Sequence, residues 1–417
     1  MRVSRREFIA ASAAAPFVQK AAGRPKLAAI CTIYFRMSHA QHIVDRFLDG
    51  YGWNGTHHHP PMELVALYVD QIGKDDLSRE RAARHPEMQM YPTIAEALTL
   101  GGSKLAVDGV VLVGEHGHYP RNEKGQTQYP RHEFFAQIAQ VFRQSGRSVP
   151  VFNDKHLSWN WDWAEEMYQT ARSMDFAFMA GSSLPVTWRT PSLEMPWGAK
   201  IREALCVCYG GVDSYDFHGL ETIQCMVERR RGGETGVKWV QAYRGENFWK
   251  AYQENVWPHE LMEAALCRSH TLTPARPGFN HVFPAPDDMR RLVQDPVAYR
   301  YEHEDGLRCT MLLMSGLVKD FNFAARLEGR AEPFSTQMYL PMPDGRTTLA
   351  NFFSPLVNNM EQMFLTRKPT YPVERTLLTT GLTAAGVESL YRKQALFETP
   401  HLAVRYQPSK ESTFWRT

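Results

Sequence analysis

Three short runs of the 417-residue chain carry side chains that can move protons or stabilise charge: Glu115-His116-Gly117-His118, Asp154-Lys155-His156, and the segment from Asp213 to Glu221 that contains His218. Lys155 can polarise a hydroxyl or carbonyl oxygen through its charge, and His218 can exchange a proton with a hydroxyl or a carbon. Together they suit oxidation or elimination at a sugar carbon. A plainer account pairs Glu115 with Lys155 as an ion pair and leaves His116 or His118 as a satisfied loop histidine. Glu115 with His116 or His118, joined by His156, is also a donor set of the kind that suits zinc or manganese, so a divalent metal is a candidate cofactor. Glu-His-x-His is not by itself diagnostic of one. His57-His58-His59 reads as a solvated loop in which only His57 and His59 share a side if the backbone is extended. Trp159, Trp161, Trp188 and Trp197, with Tyr119, Tyr215 and Arg189, supply aromatic faces and a charge suited to a sugar ring. Glu115, Trp188, Arg189 and Tyr215 are therefore the candidate substrate contacts, and a seam between two domains is the competing use of the aromatics.

These residues need elements that gather them. Lys26–Tyr34, Glu63–Asp70, Val107–Gly114, Val149–Phe152 and Phe176–Met179 are continuous apolar runs that read as buried strands. Between them, helical spacing covers His39–Leu48, Leu77–His85, Ile94–Leu100 (with Thr93 as cap), Phe134–Ser145 and Trp161–Met174. Such alternation implies a parallel sheet covered on both faces, with ligands outside the carboxyl ends of the strands. After Gly181-Ser182-Ser183-Leu184 the pattern changes. Strand-like segments at Glu203–Tyr209, Gly236–Tyr243, Gly306–Met314 and Thr336–Leu340 lack regularly interleaved helices, and helices are expected at Phe217–Arg229 and Trp257–Ser269. The expected organisation is a parallel α/β domain over 25–182 and an α+β substrate-binding domain with a mostly antiparallel sheet over 183–417. Asn54–Pro61 is read as a loop-rich excursion of the first domain.

The order ELVALYVD, MYPTIAEAL, VDGVVLVGEH, VPVFNDKHLSWNWDWAEEMY, FAFMAGSSL resembles the N-terminal half of the glucose-fructose oxidoreductase, inositol dehydrogenase and rhizopine-catabolism family (Gfo/Idh/MocA). The resemblance implies a Rossmann-like nucleotide domain followed by an α/β substrate domain, and a sugar or polyol as substrate. It sets Asp154, Lys155 and His156 at the family's Glu-Lys-Pro, whose lysine serves the active site. His218 takes the place of the family histidine and Glu221 that of the aspartate three residues on, so Lys155, His218 and Glu221 are the implied catalytic set. Asp70, closing the second strand, matches the ribose-binding acid. The family's Gly-x-Gly-x-x-Gly turn is missing: Thr32-Ile33-Tyr34-Phe35-Arg36-Met37-Ser38-His39 offers no glycine for close approach of a pyrophosphate. Ordinary NAD(P) binding is therefore expected to be disfavoured, with Arg36 the remaining phosphate contact. Two alternatives stay beside the redox reading: an NAD-independent, metal-assisted carbohydrate lyase or hydrolase, and a non-catalytic carbohydrate-binding protein.

Composition sets the remaining bounds. Ser4-Arg5-Arg6-Glu7-Phe8 followed by Ile9–Val18, weakly apolar and rich in small residues, reads as a twin-arginine export signal over 1–24, with the export machinery as partner and a periplasmic or secreted destination. Cleavage near Ala21 or Ala22 would remove Arg2, Arg5, Arg6, Glu7 and Lys20 from the formal charge of +2, so the processed chain carries about −1, which offers nucleic acid no footprint. Six cysteines are too few for a disulfide-held fold and read mostly as buried thiols. No segment of the processed chain is long and apolar enough to span a membrane. A homo-oligomer is left open.

Overall fold

A computed structural model describes residues 23–274, 284–341 and 350–414. The twin-arginine segment expected over 1–24 lies almost wholly outside the described residues.

The first sheet is built from β1 (Lys26–Ile33), β4 (Glu63–Gln71), β5 (Gln89–Met90), β6 (Gly109–Val113), β7 (Val151–Asp154) and β8 (Phe178–Gly181). All its pairings are parallel, and the strand order is β5-β4-β1-β6-β7-β8. Leu27 to Cys31 of β1 and Val110 to Val113 of β6 are fully buried, as strands covered on both faces must be. The helices that cover them are α1 (His39–Asp49), α2 (Ser78–Arg84), α3 (Ile94–Thr99), α4 (Arg131–Ser145) and α5 (Trp161–Ser173). Ser38 caps α1 and Thr93 caps α3, each accepting from a backbone N–H of the first turn. The strand order reverses beside β1, between β4 on one side and β6 on the other. Ligands of open α/β sheets bind in the crevice at such a reversal.

The expected loop over Asn54–Pro61 is partly structured: β2 (Tyr51–Trp53) and β3 (Thr56–His58) form a hairpin across an Asn54-Gly55 turn. His57 and His59 do share a side, stacked at 4.6 Å between ring centroids.

The second sheet has eight strands: β9 (Arg189–Thr190), β10 (Ile201–Cys208), β11 (Val237–Arg244), β12 (Val297–His303), β13 (Arg308–Leu313), β14 (Phe321–Leu327), β15 (Phe334–Met338) and β16 (Phe397–Glu398). Their order is β16-β11-β12-β13-β10-β14-β15-β9, antiparallel throughout except for the β10–β13 pair. One face carries α7 (Glu246–Gln253), α8 (His259–Leu266) and α9 (Pro286–Leu292), whose Phe248, Leu261 and Met289, with Trp257 from the α7–α8 connection, share a core with Leu205, Val207 and Leu312. The other face carries α6 (Asp216–Val227), all twelve residues of which are buried. α6 lies close to the strands because residue 219 is glycine. A Cβ there would stand 2.7 Å from both Cys208 Sγ and Met311 Cγ, closer than real contacts allow. α10 (Ser354–Thr366) then leads to α11 (Glu374–Tyr391), which packs on α6, β11 and α5 and so joins the two sheets. The cysteines are all free, and five of the six are buried. Among the described residues, no helix is long and apolar enough to cross a membrane.

Candidate functional site

Where β6 and β7 end, the backbone takes left-handed turns at two residues that are not glycine, His116 (φ 68°) and Lys155 (φ 62°). Each such turn costs on the order of 1 kcal/mol or more and persists where the surroundings over-determine it. Lys155 is held by its own N–H, which donates to the Gly181 carbonyl at 3.1 Å. Its Nζ donates to Glu115 Oε1 at 3.0 Å and to the Ser214 carbonyl at 3.3 Å. The other Glu115 oxygen accepts from Arg131, a fully buried guanidinium. Burial alone would raise the Glu115 carboxyl, but Lys155 and Arg131 beside it hold it well below the usual carboxylate range. For Lys155, burial opposes the charge and Glu115 outweighs it, so the ammonium titrates above its ordinary value. The ion pair and the candidate catalytic lysine are thus one arrangement.

Next to it, β8 ends on Gly181 and Ser182. Ser182 N donates to Glu221 Oε1 at 3.1 Å, its hydroxyl donates to Glu221 Oε2, and the same hydroxyl lies 3.1 Å from His218 Nδ1. A hydroxyl that donates to the carboxylate must accept from the imidazole, which puts the proton of neutral His218 on Nδ1 and the lone pair on Nε2. Burial and then the Lys155 charge hold the His218 imidazole well below its usual value. Burial pushes Glu221 up to about 7 against its Ser182 hydrogen bonds.

His218 lines a small cavity of about 100 Å³ together with His39, His42, His116, Ser182 and Tyr215, walled by Leu184, Leu340, Phe352 and Phe353. His39 Nδ1 sits 2.7 Å from Asp154 Oδ2, an aspartate with no exposed surface. Among the described residues His42 Nδ1, His116 Nε2 and Asp154 Oδ1 are buried with no hydrogen-bond partner. Burial pushes His42 down to about 3 and His116 to about 4, so these two imidazoles are neutral near pH 7. Of these unpartnered atoms, those of His42 and His116 belong to the lining of the cavity, where hydroxyls of a ligand or water could meet them.

A second, larger cleft of about 480 Å³ opens outside the ends of β1, β4 and β6, bounded by Ile33, Phe35, Lys74, His116, His118 and Tyr129 among others. His116 borders both spaces. At the end of β4 the exposed Asp70 accepts from Tyr119 at 2.7 Å and from Tyr68 at 3.0 Å.

Of the candidates read from the sequence, Lys155, His218, Glu221, Glu115, His116 and Tyr215 come together. His156 lies behind them, buried against Arg131 and edge-on to Phe217, with burial and Arg131 pushing its imidazole well down. His118 is exposed, its backbone pinned by Gln71 at 2.9 and 3.1 Å. Arg36 is exposed on the turn after β1. Trp188 and Arg189 are not brought to the cavity. Trp188 meets Tyr339 edge-on, and Arg189 is spent on Glu194, the Leu193 and Pro185 carbonyls and the face of Phe414. Sequence reasoning missed His39, His42, Arg131 and Ser182 as contributors. His39 and His42 did carry a signal: three apart at the start of the helix after the first strand, they share a face at the crevice.

No protein-family model and no curated protein sequence matches the chain. Solved structures do. Myo-inositol dehydrogenase from Lactobacillus casei, in complex with NAD(H) and myo-inositol, aligns at TM-score 0.51 and 10% identity over 90% of this chain and 97% of that one. GenD2 from gentamicin A biosynthesis, in complex with NAD, gives 0.53 and 11% over 90% and 96%. A Gfo/Idh/MocA family oxidoreductase from Vibrio cholerae gives 0.50 and 14% over 88% and 99%. At such identities the likeness is one of fold, and the fold agrees with the Rossmann-like and mostly antiparallel halves expected from the sequence.

Two cofactor expectations are corrected. The expectation that the bulk of Tyr34 to Met37 disfavours NAD(P) is overturned: two proteins of this fold hold NAD, and in this chain most of that bulk is turned away from the cleft. Tyr34 is fully buried with its hydroxyl on Asp45, Arg36 faces solvent and Met37 lines the histidine cavity, leaving only Phe35 on the cleft wall. Lys74 lines the cleft, whereas Asp70 lies at the end of β4 outside its lining, each carboxylate oxygen accepting from a tyrosine. The divalent metal suggested by Glu115, His116, His118 and His156 is not supported: among the described residues no group of three or more His, Cys, Asp or Glu is placed to hold an ion. Glu115 is taken up by two cations, Lys155 and Arg131, and His156 faces the second of these, Arg131, instead of a shared point.

Proposed function

We propose that the chain is an NAD(P)-dependent oxidoreductase acting on a hydroxyl of a sugar or polyol. The observation that carries this reading is the meeting, at His116, of a cleft outside the ends of β1, β4 and β6 with a cavity whose histidines include one poised as a base. The cleft residues Phe35, Lys74 and Gly117 would hold the dinucleotide, with Asp70 at the nearby end of β4 as its ribose contact, and the dinucleotide would supply a hydride acceptor. The chain's own residues handle the proton. The Nε2 lone pair of His218 takes it from the substrate hydroxyl, and the Nδ1 proton passes through the Ser182 hydroxyl to Glu221. That carboxyl, raised to about 7, is matched to receive it near neutral pH. His218 is an unstable place for a proton because of burial and Lys155, so the relay, instead of a lasting imidazolium, carries the charge. Lys155, held by Glu115 and the Ser214 carbonyl, is a positioning charge that keeps the resting imidazole neutral. His42 and His116 offer unpartnered nitrogens to the remaining hydroxyls.

The test is nicotinamide reduction by the purified chain over a panel of sugars and polyols. His218→Ala should lower kcat by about 10²–10⁴-fold while nicotinamide binding, read by fluorescence, stays within twofold. Equal turnover in the variant, or no reduction with any polyol by a wild-type chain that binds the dinucleotide, refutes the assignment.

The same proposal includes division of the chain into units near residue 182 and export of the folded protein by the twin-arginine route. A reporter fused behind residues 1–24 should be exported, and Arg5→Lys with Arg6→Lys should stop it.

A further inference from the structure

A cavity of about 730 Å³ lies outside the proton relay and has no part in it. It opens at one end of the second sheet, where β10 runs out at Tyr209, β14 begins after Asp320 and β15 ends before Tyr339. Its other boundaries are His270, Thr271, Lys319, Gln337 and Leu340.

The cavity adjoins the histidine-lined one. Leu340 borders both, and Tyr209 of the larger space packs on Tyr215 of the smaller with 5.0 Å between ring centroids. The small cavity, about 100 Å³, has room for the reacting part of a ligand and little else, and the larger one sits where the rest of that ligand would emerge.

The polar part of the larger wall is organised in advance. Asp320, 5% exposed, accepts from the Ser269 hydroxyl, from His270 N at 2.9 Å, from Asn322 Nδ2 and from Gln337 Nε2 at 2.8 Å. This saturated carboxylate fixes the Gln337 amide, whose Oε1 in turn meets His270 Nδ1. Lys319 is tied through its backbone N–H to Thr271 Oγ1 at 2.7 Å, and its charge offsets that of Asp320. Tyr339 is exposed at 40% and Tyr209 is half-buried, so two aromatic rings border the space. Aromatic faces with a few fixed hydrogen-bonding groups and no net charge select a neutral ligand with apolar faces and many hydroxyls.

We infer that this cavity is a subsite for a second sugar ring, so that the substrate class is a disaccharide or other glycoside rather than a single ring. The inference rests on the histidine-lined cavity being the reacting site. It predicts selectivity in binding, which is measured without turnover.

Calorimetry on the full chain, with glucose and galactose set against maltose, cellobiose and lactose, should find at least one disaccharide bound about tenfold or more tighter than either monosaccharide. Tyr339→Ala and Lys319→Ala, both changes at exposed side chains, should remove most of that difference and leave monosaccharide affinity within twofold. If every disaccharide binds no tighter than the monosaccharides, or if both variants weaken single and double rings alike, the subsite is refuted. Two-ring selectivity that depends on Tyr339, in a chain that reduces no nicotinamide with the disaccharide it binds or with any sugar or polyol, would refute the redox reading and uphold the subsite.

Discussion

Glu115→Gln keeps the shape of the side chain and removes the only negative charge between Lys155 and Arg131. Both cations are almost wholly buried, and neither can turn to water without unmaking the ends of β6 and β7. At the 3.0 Å Lys155–Glu115 separation, and an effective dielectric of ~20, the attraction lost is about 5–6 kcal/mol before desolvation is counted. Glutamine returns part of the desolvation cost and one hydrogen bond, so a net loss of about 3–5 kcal/mol is expected, the range found when one member of a buried pair is removed. Urea unfolding followed by circular dichroism at pH 7 reads this directly. The pH dependence supplies a second check. In the wild type Glu115 is depressed, so its contribution is present above the ordinary carboxylate value and fades as pH falls through the folded one. Lys155 is raised, so its contribution is present below about 10.4 and fades as pH rises through its folded value. In the variant Lys155 has lost the group that raised it, and burial then lowers it below its unfolded value. The variant's deficit should therefore shrink between pH 8 and 10 as its lysine gives up a proton. Lys155→Met added to Glu115→Gln should recover part of the loss. A deficit under about 1 kcal/mol at pH 7, the size of a surface pair, would refute the view that this charge cluster is buried and mutually dependent.

Gly181→Ala should cost about 2–3 kcal/mol, because residue 181 has φ 121° and a Cβ there would stand 2.7 Å from Glu221 Oε1 and 3.0 Å from Thr376 Oγ1; a urea midpoint unchanged from wild type would contradict it. Glu221→Gln removes a carboxyl raised from about 4.5 to about 7, whose ionisation draws stability down as pH rises across that window and is complete above it. The variant should gain on the wild type by about 3 kcal/mol between pH 4.5 and 8, and a difference that is flat with pH would show that Glu221 titrates normally.

The first sheet was legible because its strands are apolar without interruption and helical spacing fills the gaps between them. Gln89–Met90 was not legible, since a two-residue edge strand leaves no period to read, and β12 and β14 interrupt their apolar residues with Arg300, Asn322 and Arg326. In the candidate site the sequence pointed to residues at strand ends, and the rule that crevices lie there gathered Lys155, His116 and Glu115 correctly. It failed at partners whose meaning is purely three-dimensional. Arg131 opens a helix sixteen residues beyond Glu115 and reads as surface charge, yet it is fully buried because Glu115 needs a second cation. Ser182 reads as linker, yet its hydroxyl is the link between His218 and Glu221. The turn after β1 was illegible for a related reason. Sequence gives the volume of Tyr34, Phe35, Arg36 and Met37 but not their direction: Tyr34 is in the core, Phe35 on the cleft wall, Arg36 exposed and Met37 at the neighbouring cavity. A glycine-rich turn solves close approach by removing side chains. In this chain the side chains are kept and aimed elsewhere, with Tyr34 anchored on Asp45 and Ser38 capping the helix that follows.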